Sequence, residues 1–168
     1  MTIRWMLVAV LLLAGCKRQA PEAEVKKEQA ADLVSAFGMA DAPAAQMTHG
    51  FHGLENGWRW VASKFGVTLS PPDLAGKAAQ LELKFALPSA VFDRMGAVTL
   101  SATVNGKPLP SQKYSSAGNQ VYSQELAAGT FGPGPVTVEF STDKALPPGN
   151  GDARELALIV THVGLTVK

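Results

Sequence analysis

In the body of the chain, after about Met47, several runs alternate apolar and polar residues with a period of two. In AQLELKFALP, residues 79–88, Leu81, Leu83, Phe85 and Leu87 fall on one face and Gln80, Glu82 and Lys84 on the other. AVTLSATVNG at 97–106 sets Val98, Leu100, Ala102 and Val104 against Thr99, Ser101 and Thr103, and PVTVEFS at 135–141 turns Val136, Val138 and Phe140 the same way. Successive side chains on a strand point to opposite faces, so each stretch predicts a half-buried strand. ELALIVTHVGLTV at 155–167 is apolar on both faces at first, with Leu156, Leu158 and Val160 on one side and Ile159, Val163, Leu165 and Val167 on the other. That predicts a central strand. Weaker patterns predict strands at 57–62, 65–69 and 119–126.

Turn residues divide these runs. Asn105-Gly106 is a type I′ hairpin signal, since both central residues of that turn need positive φ. Pro71-Pro72, Pro108, Pro110, Pro133-Gly134-Pro135 and Pro147-Pro148-Gly149 punctuate the rest. Short strands between such turns, with no convincing helix in the body, predict an all-β fold. An antiparallel β-sandwich, jelly-roll-like, is the expected form, with a small closed barrel as the alternative.

The first 46 residues are written differently. Arg4, the apolar run Trp5 to Ala14, and the small pair Ala14-Gly15 before Cys16 have the layout of a secretory signal. The run is about half of the ~20 residues that span a bilayer. Leu13-Ala14-Gly15-Cys16 resembles the lipobox of bacterial lipoproteins. That resemblance implies a signal peptide over 1–15 and acyl chains on Cys16, the only cysteine, which attach the chain to a membrane. With no second cysteine there is no internal disulfide. Lys17 after the cysteine implies, by the same resemblance, delivery to the outer membrane, facing the periplasm or the surface. Residues 16–46, rich in Ala, Glu, Lys and Gln, read as a flexible linker with an optional helix over 22–37 bearing Leu33, Val34 and Phe37. The β-sandwich domain is then expected over 47–168.

Charge narrows the partners. Of 15 basic residues only Arg4 lies in the signal, which leaves 14 against 14 acidic ones. Such a chain lacks the basic excess that nucleic-acid binding needs. Its length suits one domain with a real core.

Two stretches look specific: GFHGLENGWRW at 50–60 and PPGNGDAREL at 147–156. With the VNGKPL turn at 104–109 they resemble a jelly-roll, galactose-binding-like module found in or beside polysaccharide-related bacterial envelope proteins. The matching residues are Gly50-Phe51, Glu55, Arg59-Trp60, Val104-Asn105-Gly106, Pro147 and Gly151-Asp152-Ala153-Arg154-Glu155-Leu156, over about residues 48–168. The resemblance implies the fold more than the ligand. Trp58 and Trp60, two apart on a strand, share a face, with Arg59 on the other. Indole faces stack on sugar C–H groups while Glu55, Asp152 and Arg154 offer hydrogen bonds to hydroxyls. The same residues also suit a structural clasp, in which Glu55 or Asp152 pairs with Arg154 and pins the first strand segment beside the last.

Other chemistry is thinly supported. His49, His52 and Glu55 have metal-like spacing on a helix, but three glycines oppose a helix there, and a strand sends the two imidazoles to opposite faces. Asn150, Asp152 and Asp143 offer too few carboxylates for a calcium loop. No nucleophile elbow or phosphate loop is present. The expectation is a non-catalytic, lipid-anchored envelope protein without metal or cofactor, docking to an envelope protein, with polysaccharide binding as the alternative.

Overall fold

A computed structural model describes residues 33–73, 76–149 and 151–168. The signal peptide, Cys16 and the linker up to residue 32 lie outside the described residues. Ten strands are present among them: β1 (Ala36–Gly38), β2 (Met47–Glu55), β3 (Trp58–Leu69), β4 (Ala79–Leu87), β5 (Val98–Val104), β6 (Lys107–Pro108), β7 (Gln112–Tyr114), β8 (Gly118–Leu126), β9 (Val136–Thr142) and β10 (Leu158–Val167). Every strand pairing is antiparallel.

The pairings run unbroken as β6-β5-β9-β3-β10-β4-β8, yet the strands form two layers. The reason lies in β3. Its first half, Arg59 to Val61, pairs with β10, and its second half, Lys64 to Leu69, pairs with β9. The partners diverge at Ala62 and Ser63, so β3 belongs to both layers. One layer is β8-β4-β10 with the start of β3 and with β1; the other is β5-β9 with the end of β3, flanked by β6 and β7, and β2 follows β3 across both. Aromatic rings meet across the gap: Tyr122 of β8 lies 6.3 Å from Phe140 of β9, and Phe85 of β4 lies 4.9 Å from Tyr114 of β7. From β4 onward the long strands alternate between layers, which is the crossing pattern of a jelly roll. The path's two ends, β6 and β8, do not pair with each other, so the structure is an open sandwich and not a barrel.

Alternation explains the core. The inward residues of β4, β5 and β9 are all buried, as the period-two pattern requires. In β10 the pattern misleads. Thr161 is an extra residue between the pairs Val160↔Phe85 and His162↔Lys84. This bulge shifts the phase by one position, so Leu158, Val160, Val163 and Leu165 all face the core. The expected two-sided apolar strand is therefore one-sided.

Two expectations need correction. The body contains a helix, α1 (Ser89–Met95), which Pro88 starts and Gly96, at φ 70°, ends. Lys144 Nζ donates to the carbonyls of Met95 and Ala97 at its end. The linker also does not reach residue 46. β1 pairs with residues 162–164 of β10, Phe37 and Met39 are buried, and Phe37 is in a strand rather than the optional helix. Gln46, also buried, accepts the Val34 N–H on Oε1 and donates Nε2 to the carbonyls of Val34 and Thr68. Its amide imitates a strand partner for residue 34. The sandwich thus includes residues from the expected linker.

Candidate functional site

The β2–β3 connection is a two-residue hairpin. Asn56 and Gly57 both take positive φ, 48° and 86°, as in the Asn105-Gly106 turn. The turn sets Glu55 directly opposite Trp58. The even positions of β3 face outward here, since Val61 is buried on the other side. Trp58 and Trp60 therefore share the outer face of the first layer, with Ile159 opposite Trp60. Their ring centroids are 6.2 Å apart and their planes 84° apart. Trp60 packs against the core, and both rings are half-buried.

Glu55 reaches sideways to the loop before β10. Arg154 Nη1 donates to Glu55 Oε1 at 2.7 Å. Its Nη2 donates to Asp152 Oδ2 at 2.9 Å and its Nε to Asp152 Oδ1 at 3.0 Å. Where the sequence offered Glu55 or Asp152 as partner, the structure places both on Arg154. Asp152 also accepts the Arg154 backbone N–H, and these bonds with the Arg154 guanidinium hold its carboxyl down at about 2. The same contacts raise Arg154 further above its ordinary value. Gly149↔Asp152 and Leu146↔Leu156 bridges brace this loop.

Arg59 stands apart. It lies on the inward side at the end of the sandwich, where Nη1 donates to the His52 carbonyl at 2.9 Å and Nε is buried without a partner. Sequence reasoning named His52 only for its metal-like spacing and Glu155 only within a motif, and not for the contacts they make. Glu155 Oε1 accepts the Ser63 N–H at 2.6 Å, which is the backbone group stranded where β10 and β9 part. That bond lowers its pKa. His52 Nε2 contacts the Glu155 carbonyl at 2.8 Å. Asn56-Gly57, the same signal as Asn105-Gly106, is what identifies the hairpin from sequence.

The metal-like spacing is not realised as a site. β2 changes register three times between Met47 and Leu54, and His49 goes to Glu139 while His52 goes to Glu155. Asp143 accepts the Thr99 N–H, away from Asp152. Among the described residues no three His, Cys, Asp or Glu side chains gather around a common point. The arrangement therefore offers an aromatic corner beside a charged cluster, with Asp152 and Glu155 held ionised.

No protein-family model matches this sequence, nor does any curated protein. Solved structures with a similar fold exist. One is a family 115 4-O-methyl-α-glucuronidase with specificity for decorated arabinogalactans, 11% identical with a TM-score of 0.49, in which 81% of this chain covers 18% of that one. A family 35 carbohydrate-binding module from an environmental isolate is 18% identical, with a TM-score of 0.42, 81% of this chain and 90% of that one covered. A family 6 module from Clostridium stercorarium in complex with cellobiose is 11% identical, with a TM-score of 0.43, and 80% and 95% covered. The chain spans only a small part of the glucuronidase and most of each module.

Proposed function

We propose that this chain is a non-catalytic saccharide-binding module held at a bacterial cell envelope through lipidated Cys16. The observation that carries the reading is the half-open Trp58–Trp60 corner beside Glu55, Arg154 and Asp152. Trp58 lies half-open on an outer sheet face next to paired charges, where its indole face is within reach of a ligand. Trp60 forms the supporting wall and Trp58 offers the stacking surface for sugar C–H groups. The hydrogen-bonding capacity that Arg154 leaves on the two carboxylates fixes the hydroxyls. This favours the saccharide reading over protein docking, the first expectation from sequence. An ionised Asp152 is an acceptor and not an acid, which suits binding rather than glycosidic cleavage.

The test is intrinsic fluorescence of the chain lacking residues 1–16, whose only tryptophans are Trp58 and Trp60. A glycan panel is titrated while iodide quenching is followed. A saccharide that shields the emission, with binding abolished in a folded Trp58→Ala variant, supports the proposal. Emission indifferent to every glycan sinks it and returns protein docking to first place.

A further inference from the structure

The other layer carries an unassigned polar bowl. Its floor is Gly66 of β3, between His49 of β2 and Glu139 of β9. A Cβ built on Gly66 would lie 2.6 Å from Glu139 Oε1 and 2.7 Å from His49 Cε1. The missing side chain is what lets those two groups meet, with His49 Nε2 3.2 Å from Glu139 Oε2. Thr48 Oγ1 lies 3.1 Å from His49 Nδ1, so the imidazole is held at both nitrogens. Beside this pair, strand register lines up Lys64, Ser141 and Ser101 in one row and Glu139 with Thr103 in the next. A cavity of about 150 Å³ lies among these side chains.

The chemistry of the bowl differs from that of the Trp58 corner. Its outward-facing side chains include no aromatic ring, because Phe140 points into the core. Recognition there rests on charge and hydrogen bonds. Lys64 is half of the answer: its ammonium has no ion-pair partner among the described residues, whereas Lys84 and Lys168 each contact a carboxylate. Glu139, oriented by His49, is the other half, an acceptor for hydroxyl groups. Ser101, Ser141 and Thr103 supply hydroxyls between them.

We infer that this bowl is a second saccharide site, selective for a sugar residue that carries a carboxylate, such as a uronate. Lys64 receives the carboxylate, Glu139 accepts from ring hydroxyls, and the serine row completes the cradle. The bowl lies further along β3 than the Trp58 corner, at Lys64 and Gly66 rather than Trp58 and Trp60, so one domain offers two separate contacts to envelope polysaccharide. The inference rests on the proposed saccharide reading for the class of ligand only, and its residues are separate from the Trp58 corner.

Calorimetric titration of full-length protein in detergent with polygalacturonate, and with the same polymer after its carboxyls are reduced to alcohols, tests it. The wild type binds the acidic polymer and loses it on reduction. Lys64→Met weakens binding by about tenfold or more, as expected for a lost charged hydrogen bond. Gly66→Ala pushes Glu139 and His49 aside and weakens it too, while Lys84→Met, on the first layer and outside both sites, leaves it unchanged. Lys64 is exposed, so its variant stays informative even if Gly66→Ala fails to fold. Absence of polygalacturonate binding, or binding indifferent to Lys64→Met, overturns the inference. If that happens while neutral sugars still bind through Trp58, the proposed function stands alone. If the uronate binds through Lys64 but no sugar binds at Trp58, the bowl stands and the corner falls.

Discussion

The carboxylate of Glu155 accepts the backbone N–H of Ser63 at 2.6 Å, across 92 residues of chain. It fills the point where β3 leaves β10 for β9, so a side chain satisfies the Ser63 amide between the two strand pairings. Stranded backbone donors destabilise a fold, and this contact removes one.

Glu155→Ala is therefore expected to lower stability by about 1–2 kcal/mol, and Glu155→Gln, which keeps an acceptor, by less. Folding lowers the pKa of Glu155, the Ser63 contact being the cause. The stabilisation is accordingly full above the ordinary carboxylate range and is lost as the pH falls through the lowered value. Urea midpoints measured from neutral to acidic pH check this: the gap between wild type and Glu155→Ala closes in acid.

Arg154 and Asp152 make a sharper titration test. In the wild type the Asp152 carboxyl titrates at about 2, held there first by its side-chain bonds to Arg154. Arg154→Met returns it towards the ordinary carboxylate range. Carbonyl-detected NMR of the aspartate side chains reads both values, and an unmoved midpoint in the variant refutes the clasp as the cause.

Gln46→Ala removes one amide from three backbone groups at once, on Val34 and Thr68. A cost of about 3 kcal/mol is expected because the groups left behind lie at a buried site. Hydrogen exchange is the discriminating measurement. Protection of β1 collapses in the variant while that of β4 and β5 falls only with global stability; equal losses everywhere refute the local clamp.

The two tyrosines of the chain are Tyr114 and Tyr122. Burial pushes Tyr122 up to about 12 and, with Tyr122 as a second cause, pushes Tyr114 higher still. Their hydroxyls donate to the carbonyls of Val121 and Pro110. The protonated form is thus favoured by folding, and its stabilisation holds below the ordinary value near 10 and is lost as the pH rises towards 12. An ultraviolet titration is expected to show no phenolate below pH ~11 in the native state and abrupt ionisation on alkaline unfolding. Smooth ionisation near 10 contradicts the burial.

Legibility from sequence followed the regularity of the strands. β4, β5 and β9 alternate without interruption and were readable residue by residue. β10 was readable as a strand, but Thr161 shifts its phase and only pairing with Lys84 and Phe85 reveals it. β2 hid behind three changes of register and a run, THGFHGLE, with no alternation to find. β1 is three residues long and stands because Gln46 and β10 support it, a tertiary cause that no local pattern encodes. In the candidate site, the pairing of Arg154 was legible as charge complementarity between two motifs. The role of Glu155 was not, since it depends on where the two layers part.

The position of β10 bears on when the fold can exist. It forms the middle of the first layer, with β4 on one side and β1 and the start of β3 on the other. Among the described strands it is also the last in chain order. Until its residues emerge, β1 and the start of β3 have nothing to join them to β4, and closing Ala36 onto Gly164 spans most of the chain. Such distant pairings are slow to form. Closing the first layer therefore waits on the strand that comes after all the others described, so that layer sets in one late, long-range step.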